Sequence, residues 1–168
     1  MQTTRVFMTA ALLALASASA QTVRVSDPKL PFSVSVPKTW VGVQFKDNIS
    51  GLSVASAPKA GAALMRFNFI PKQGRKLVLT DEFAGFEQAV KQGGNTLKLV
   101  SSKNVSYGGV AGILRTYDMV QKKHPVRMRL WFGNGAKNFY SFQLTDTQAN
   151  FSKSAPIFAA ALSSLKFN

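Results

Sequence analysis

The residues best suited to bind another molecule lie on one predicted strand, from Val126 to Phe132. Arg127, Arg129 and Trp131 alternate there with apolar residues, so we expect them to project from one side of the strand. An arginine beside an aromatic ring can stack on bases or sugars and can pair with phosphate or carboxylate. The pattern indicates a cationic, aromatic face suited to an anionic ligand.

A second predicted strand follows directly and shares this sheet. The connection, residues 133–137, is rich in glycine and asparagine, which is typical of a β-hairpin. The alternation predicts that Phe139, Ser141 and Gln143 lie beside the two arginines and Trp131. The other side should face the core, and it carries Met128, Leu130, Phe132, Tyr140, Phe142 and Leu144.

Two uses of the arginine-bearing face follow from this pattern. In the first, the face is an open groove that binds a ligand. In the second, a helix covers it, Trp131 and Phe139 become residues of a second core, and the arginines extend past them to solvent. We favour the covered face, because the sequence also predicts two amphipathic helices that must bury their apolar stripes.

Side chains that carry out catalysis are few. His124 is the single histidine, and the absence of cysteine excludes thiol chemistry and thiolate metal sites. No serine lies in a G-x-S-x-G turn, and there is no G-x-x-x-x-G-K phosphate loop. We therefore predict no catalytic residue, no metal ligand and no cofactor.

Asp118 is the exception among the acids, because it lies inside a predicted strand. We expect it to form a structural pair with an arginine on a neighbouring strand, Arg127 or Arg129. The alternative function is a hydrolase-like enzyme whose unrecognised site is built from Asp118 and these arginines.

Positive charge is the strongest feature of the composition. The chain has 21 Lys and Arg against 7 Asp and Glu, a net charge of +14. Such a chain favours anionic surfaces such as lipid headgroups or wall polymers, although the charge can also serve only to keep an exported protein soluble. The expected contacts are two basic loops, one with Lys72, Arg75 and Lys76 and the other with Lys122 and Lys123.

The first 20 residues resemble a secretory signal peptide. A basic start ending at Arg5 precedes a short apolar run, and Ala18 and Ala20 are the small residues that a signal peptidase reads. The run is about half the roughly 20 residues of a spanning helix, so we expect cleavage before Gln21 and no anchor afterwards. The net charge then falls to +13 as Arg5 leaves (14 − 1). Export to the periplasm, the cell envelope or the medium makes nucleic acid a poor specific partner.

Residues 21–30 are predicted to form a lead-in arm and residues 31–168 a single α+β domain. Strands joined by short turns favour an antiparallel sheet. One amphipathic helix should begin at Thr80 or Asp81. A second should be capped by Ser154, with Pro156 in its first turn. The two helices should pack on the sheet as a sandwich.

The segment from Phe32 to Trp40 resembles the F-x-[IV]-x-[IV]-P-x-x-W start of PsbP-like domains and of secreted bacterial proteins of the DcrB and LpqN kind. Residues 108–112 resemble the family's G-x-x-G entry to a strand, and residues 162–167 resemble its terminal segment. The resemblance implies a curved antiparallel sheet with helices on both sides. It further implies an accessory or binding protein outside the cytoplasm and not an enzyme, and it transfers no site residue. From the charge and the expected export, we predict that the partner is an anionic envelope surface or an envelope protein.

Overall fold

Ten strands and two helices make up the part of the chain that the computed structural model describes, residues 21–121 and 123–168. In order they are β1 (Thr22–Ser26), β2 (Phe32–Pro37), β3 (Val41–Gly42), β4 (Gly51–Ala55), β5 (Leu64–Pro71), α1 (Leu79–Gln92), β6 (Thr96–Tyr107), β7 (Val110–Gln121), β8 (His124–Asn134), β9 (Asn138–Thr147), α2 (Phe151–Ser163) and β10 (Lys166–Phe167). The predicted signal peptide, residues 1–20, and Lys122 lie outside the described residues.

The strands form two sheets. Seven strands pair in the order β3-β4-β5-β9-β8-β7-β6, and three pair in the order β1-β2-β10. Every one of these pairings is antiparallel. Six of the eight pairings join strands that follow each other in sequence, as the sequence predicts, and the other two, β5 with β9 and β2 with β10, join strands that are far apart in sequence.

The large sheet has a hydrophobic cluster on each face. On one face lie α2 and the small sheet, and there the ring of Phe142 is 5.0 Å from that of Phe32 on β2. On the other face lies α1, whose buried Phe83 is 4.2 Å from Phe132 on β8. The predicted α+β sandwich, with one helix on each side of an antiparallel sheet, is confirmed.

The hairpin exists, but its register differs from the predicted one. Residues 133 and 134 belong to β8, so the turn is shorter than the pattern suggested, and Trp131 lies opposite Phe142. Trp131 therefore shares the α2 face with Tyr140, Phe142 and Leu144. Phe139 instead lies with Met128, Leu130 and Phe132 on the α1 face. The prediction that Trp131 and Phe139 share one face was wrong, because a shift of one residue moves every side chain of a strand to the other face.

Several element boundaries also differ from expectation. Helix α1 begins at Leu79 after Val78, without a side-chain cap, and α2 begins at Phe151 after Asn150. Ser154 and Pro156 consequently lie inside α2. The predicted lead-in arm contains β1, which pairs with β2 along its whole length.

Candidate functional site

Trp131, the aromatic residue of the predicted binding face, is fully buried. Its indole lies between the rings of Tyr107 and Phe142, at 5.5 and 5.4 Å. The indole N–H donates to the carbonyl oxygen of Val105 at 3.2 Å. The side chain thus has its polar group satisfied inside the core and presents no surface to a ligand.

The two arginines of that face also have partners within the protein. Arg127 donates two hydrogen bonds to Asp118, at 2.7 and 3.0 Å. Arg129 is half-buried, donates to the hydroxyl of Thr116 at 3.3 Å and lies 5.2 Å from the ring centre of Phe151. Burial lowers the pKa of Arg129 from its usual value. Trp131 is thus buried and Arg129 is half-buried beside Phe151, the first residue of α2, whereas Arg127 keeps 34% of its side chain exposed.

Asp118 is the residue on which an enzymatic alternative depends. The hydrogen bonds from Arg127 hold the pKa of this carboxyl below its usual value. A general base works best with a pKa near the operating pH, and this carboxylate has been moved the opposite way. The ion pair with Arg127 is the cross-strand pair that we expected, and it accounts for an acid inside a strand without a catalytic role.

A basic surface forms where the loop after β5 meets the tip of the β8–β9 hairpin; we call it the basic platform and define it by Lys72, Arg75, Lys76 and Lys137. The backbone N–H of Lys72 donates to the carbonyl of Lys137 at 2.9 Å. The ammonium of Lys72 donates to Asn134 Oδ1 at 2.8 Å and to Gly135 O at 3.0 Å. These bonds join two segments that are far apart in sequence into one surface.

The platform offers both free charge and exposed apolar area. Arg75, Lys76 and Lys137 are exposed, and Arg75 Nε donates to the carbonyl oxygen of Lys72 at 3.2 Å. The ammonium of the half-buried Lys72 is occupied by its two hydrogen bonds to the hairpin tip. Close by in the chain, Ile70 and Val78 are 46% and 56% exposed. Cations interspersed with apolar side chains suit a charged, partly apolar surface such as lipid headgroups. Sequence reasoning identified three of the four cations and missed Lys137, which only the hairpin turn brings to this position.

The other predicted basic loop does not join the platform. Lys123 lies in the β7–β8 turn, at the start of β8, whereas the platform lies beyond its end. Strand β8 has 11 residues, so about 35 Å separates the two loops. The described cations of the two loops therefore cannot act as one contact patch.

Acidic side chains balance only part of this charge, since the sequence has 7 of them against 21 Lys and Arg. Three of the seven acids in the sequence form ion pairs inside the protein: Asp47 with Arg66, Glu87 with Arg115, and Asp118 with Arg127. A fourth, Asp146, is buried. The field of the described surface is consequently set by exposed lysines and arginines.

Two clefts open at the end of the sheet opposite the platform, on either side of the loop formed by residues 56–63. One has a volume of about 590 Å³ and is lined mainly by residues 41–45 and 57–62. The other has a volume of about 430 Å³ and contains Asp146, Lys59 and Lys153. Both volumes lie within the range of small-molecule pockets.

The described residues hold no group of three or more His, Cys, Asp or Glu that could bind a metal ion. His124 is exposed at the start of β8. None of the described helices has the length and apolar character needed to cross a membrane.

Comparison with known proteins identifies the fold. No family model matches the chain, and no curated protein sequence matches it. Among solved structures, cyanobacterial PsbP (CyanoP) from Synechocystis sp. PCC 6803 matches with a TM-score of 0.71 and 15% identity over 91% of this chain and 96% of that one. LpqN, described as involved in cell envelope biogenesis of Mycobacterium tuberculosis, matches with a TM-score of 0.63 and 8% identity over 88% of this chain and 91% of that one.

A protein of unknown function from Pseudomonas aeruginosa also matches, with a TM-score of 0.59 and 18% identity over 85% of this chain and 94% of that one. At these identities the comparisons establish the architecture and not an activity. The chain has the PsbP-like α+β fold, which confirms at the level of the fold the resemblance seen in its sequence.

Proposed function

We propose that the protein is an exported, non-enzymatic accessory or binding protein that docks on an anionic surface of the cell envelope through the basic platform. The observation that carries this proposal is the platform itself. Its two segments are joined by hydrogen bonds, and three exposed cations project from them beside exposed apolar residues.

Electrostatic attraction supplies one part of the free energy of docking. A lysine or arginine near an anionic membrane contributes about 1 kcal/mol, so Arg75, Lys76 and Lys137 together supply about 3 kcal/mol. Contact of Val78 and Ile70 with the apolar part of the surface adds to this. The rigid platform limits the conformational entropy lost on binding, because its loop is already held by the hairpin.

Location outside the cytoplasm is supported by two observations. The first 20 residues have the pattern of a signal peptide. The fold is shared with LpqN, whose description places that protein in cell envelope biogenesis. Together they favour an envelope polymer or membrane as the anionic partner, in preference to nucleic acid.

A binding role fits the side chains better than catalysis does. Asp118, on which the hydrolase-like alternative rests, is engaged by two hydrogen bonds from Arg127 and has a lowered pKa. The arginines beside it are half-buried or paired. Among the described residues we identify no other arrangement of nucleophile, base and oxyanion donors that could form a catalytic site.

Sedimentation with lipid vesicles tests the proposal. Vesicles containing phosphatidylglycerol should carry the protein down at low salt, and vesicles of phosphatidylcholine alone should not. Raising the salt to the physiological range should weaken the binding, since exposed charges are screened beyond about 8 Å at that ionic strength. Binding that is equal on both vesicle types, or unchanged by salt, would contradict electrostatic docking.

A further inference from the structure

The smaller of the two clefts has a charge arrangement that the platform does not explain; we call it the Asp146 cleft. It lies between the 56–63 loop, Trp40 and the first turns of α2, and has a volume of about 430 Å³. Its polar and charged lining residues are Ser56, Lys59, Asp146, Asn150, Lys153 and Ser154. The lining is thus mixed in charge, although the protein as a whole is strongly basic.

Asp146 is a buried carboxylate that lines this cleft without an ion-pair partner among the described residues. Only 5% of the residue is exposed, and the hydrogen bond it accepts comes from the backbone N–H of Thr147, at 2.7 Å. The cation nearest in the sheet register is Arg127, directly opposite on β8. Arg127 is bound to Asp118 on its other side.

Asp146 accepts one hydrogen bond among the described residues and belongs to none of the described ion pairs, so its carboxylate keeps acceptor capacity that a donor group of a ligand can use. The lining of the cleft next to Asp146 is therefore suited to an ammonium group, which would donate to the carboxylate.

The cations that line the cleft suit a carboxylate group of the ligand. Lys59 and Lys153 both line it, and Asn150 and Lys153 belong to the start of α2. The first turn of α2 contains no acidic residue and has no side-chain cap, so no residue of that turn neutralises the positive end of the helix dipole. Trp40 and Ile157 add apolar surface.

From this arrangement we infer that the Asp146 cleft binds a small zwitterion of the α-amino acid or dipeptide class. Its ammonium group bonds to Asp146, and its carboxylate lies toward Lys59 and Lys153. The site is separate from the basic platform, which lies at the other end of the sheet, and the inference goes beyond docking on an anionic surface.

The direct test is isothermal titration calorimetry of the protein with a panel of free α-amino acids and dipeptides. Each ligand that binds is compared with its N-acetyl derivative, which has lost the ammonium group, and with its C-terminal amide, which has lost the carboxylate. We expect acetylation to weaken binding by about 30-fold or more, as loss of a buried charge pair does, and amidation to weaken it less. Absence of binding across the panel, or equal binding after acetylation, would overturn the inference.

Variants identify the site. Asp146→Asn keeps an oxygen for the N–H of Thr147 and removes the charge, so it should abolish zwitterion binding. Lys153→Gln should weaken binding, and the exposed control Asp81→Asn, in α1, should not change it. If Asp146→Asn does not fold, the Lys153→Gln variant and the acetylated ligands still test whether the Asp146 cleft binds the zwitterion. Unchanged affinity in a folded Asp146→Asn or in Lys153→Gln would refute the assignment.

Discussion

Gly112 and Gly133 lie opposite each other on β7 and β8, and the indole of Trp131 lies across both. A Cβ atom at either position would overlap ring atoms of the tryptophan. Neither glycine has a positive φ, so space, not backbone conformation, is the reason for glycine here. The indole of Trp131 packs against the backbone of both glycines and also contacts the rings of Tyr107 and Phe142.

Gly133→Ala should destabilise the protein, because the methyl group enters space that the indole occupies. Overpacking of a core costs about 1 to 3 kcal/mol, which chemical denaturation measures as a lower free energy of unfolding. Gly85→Ala in α1 is the matched control: a Cβ there has open space around it, and alanine favours a helix over glycine by about 1 kcal/mol. A stable Gly133→Ala variant would show that Trp131 does not pack as described.

Trp131→Ala and Phe142→Ala should be about equally harmful. Both side chains are fully buried and in contact, and truncation of a large buried aromatic residue costs about 3 to 5 kcal/mol. Val23→Ala, at an exposed position on β1, should change stability by less than about 0.5 kcal/mol. A Trp131→Ala variant that keeps wild-type thermal stability and loses vesicle binding would instead assign this residue to a ligand groove.

The pair of Asp118 with Arg127 should make a pH-dependent contribution to stability. The pKa of Asp118 is lower in the folded protein than its ordinary value, so the contribution is present above the unfolded pKa and is lost as the pH falls through the folded pKa. Both side chains are about one third exposed, which keeps the effect below about 1 kcal/mol.

Urea unfolding of the wild type and of Asp118→Asn measures this contribution. The wild type should be more stable than the variant near neutral pH, and the difference should shrink below about pH 4, where an unfolded aspartate takes up its proton. A difference that grows as the medium becomes acidic would contradict the pairing.

Lys72 and Arg75 should separate the structural part of the platform from its binding part. Lys72→Met removes two hydrogen bonds that join the loop to the hairpin tip, which should cost about 1 kcal/mol of stability or more. Arg75→Gln removes an exposed charge and one exposed hydrogen bond, from Arg75 Nε to the carbonyl oxygen of Lys72 at 3.2 Å, so it should lower stability by less than Lys72→Met does while weakening vesicle binding. Equal effects of the two variants on the melting temperature would argue against a structural role for Lys72 that Arg75 does not share.

Most elements of the fold could be predicted, because alternation along a strand and steps of three and four along a helix are local patterns. The relative register of β8 and β9 could not. It depends on where the turn begins, and Gly133, which the sequence suggests is a turn residue, is instead a strand residue that makes room for Trp131. One residue of difference moved Phe139 to the α1 face.

The candidate site was predictable only in part for the same reason. The charges of Lys72, Arg75 and Lys76 are visible in one loop of the sequence, but Lys137 reaches them through a contact between distant segments. The burial of Asp146 could not be predicted from the sequence either. Asp146 lies near the end of β9, and only the packing of α2 and of the 56–63 loop shows that it is a buried carboxylate in a cleft.

The measurement closest to the central claim compares two triple variants of equal charge in the vesicle sedimentation experiment. One removes the exposed cations of the platform, Arg75→Gln, Lys76→Gln and Lys137→Gln. The other removes three exposed lysines elsewhere, Lys29→Gln, Lys103→Gln and Lys166→Gln. We expect the platform variant to lose about tenfold or more in affinity for phosphatidylglycerol vesicles and the control to lose much less. Equal losses would show that binding follows net charge alone, and would contradict docking through the basic platform.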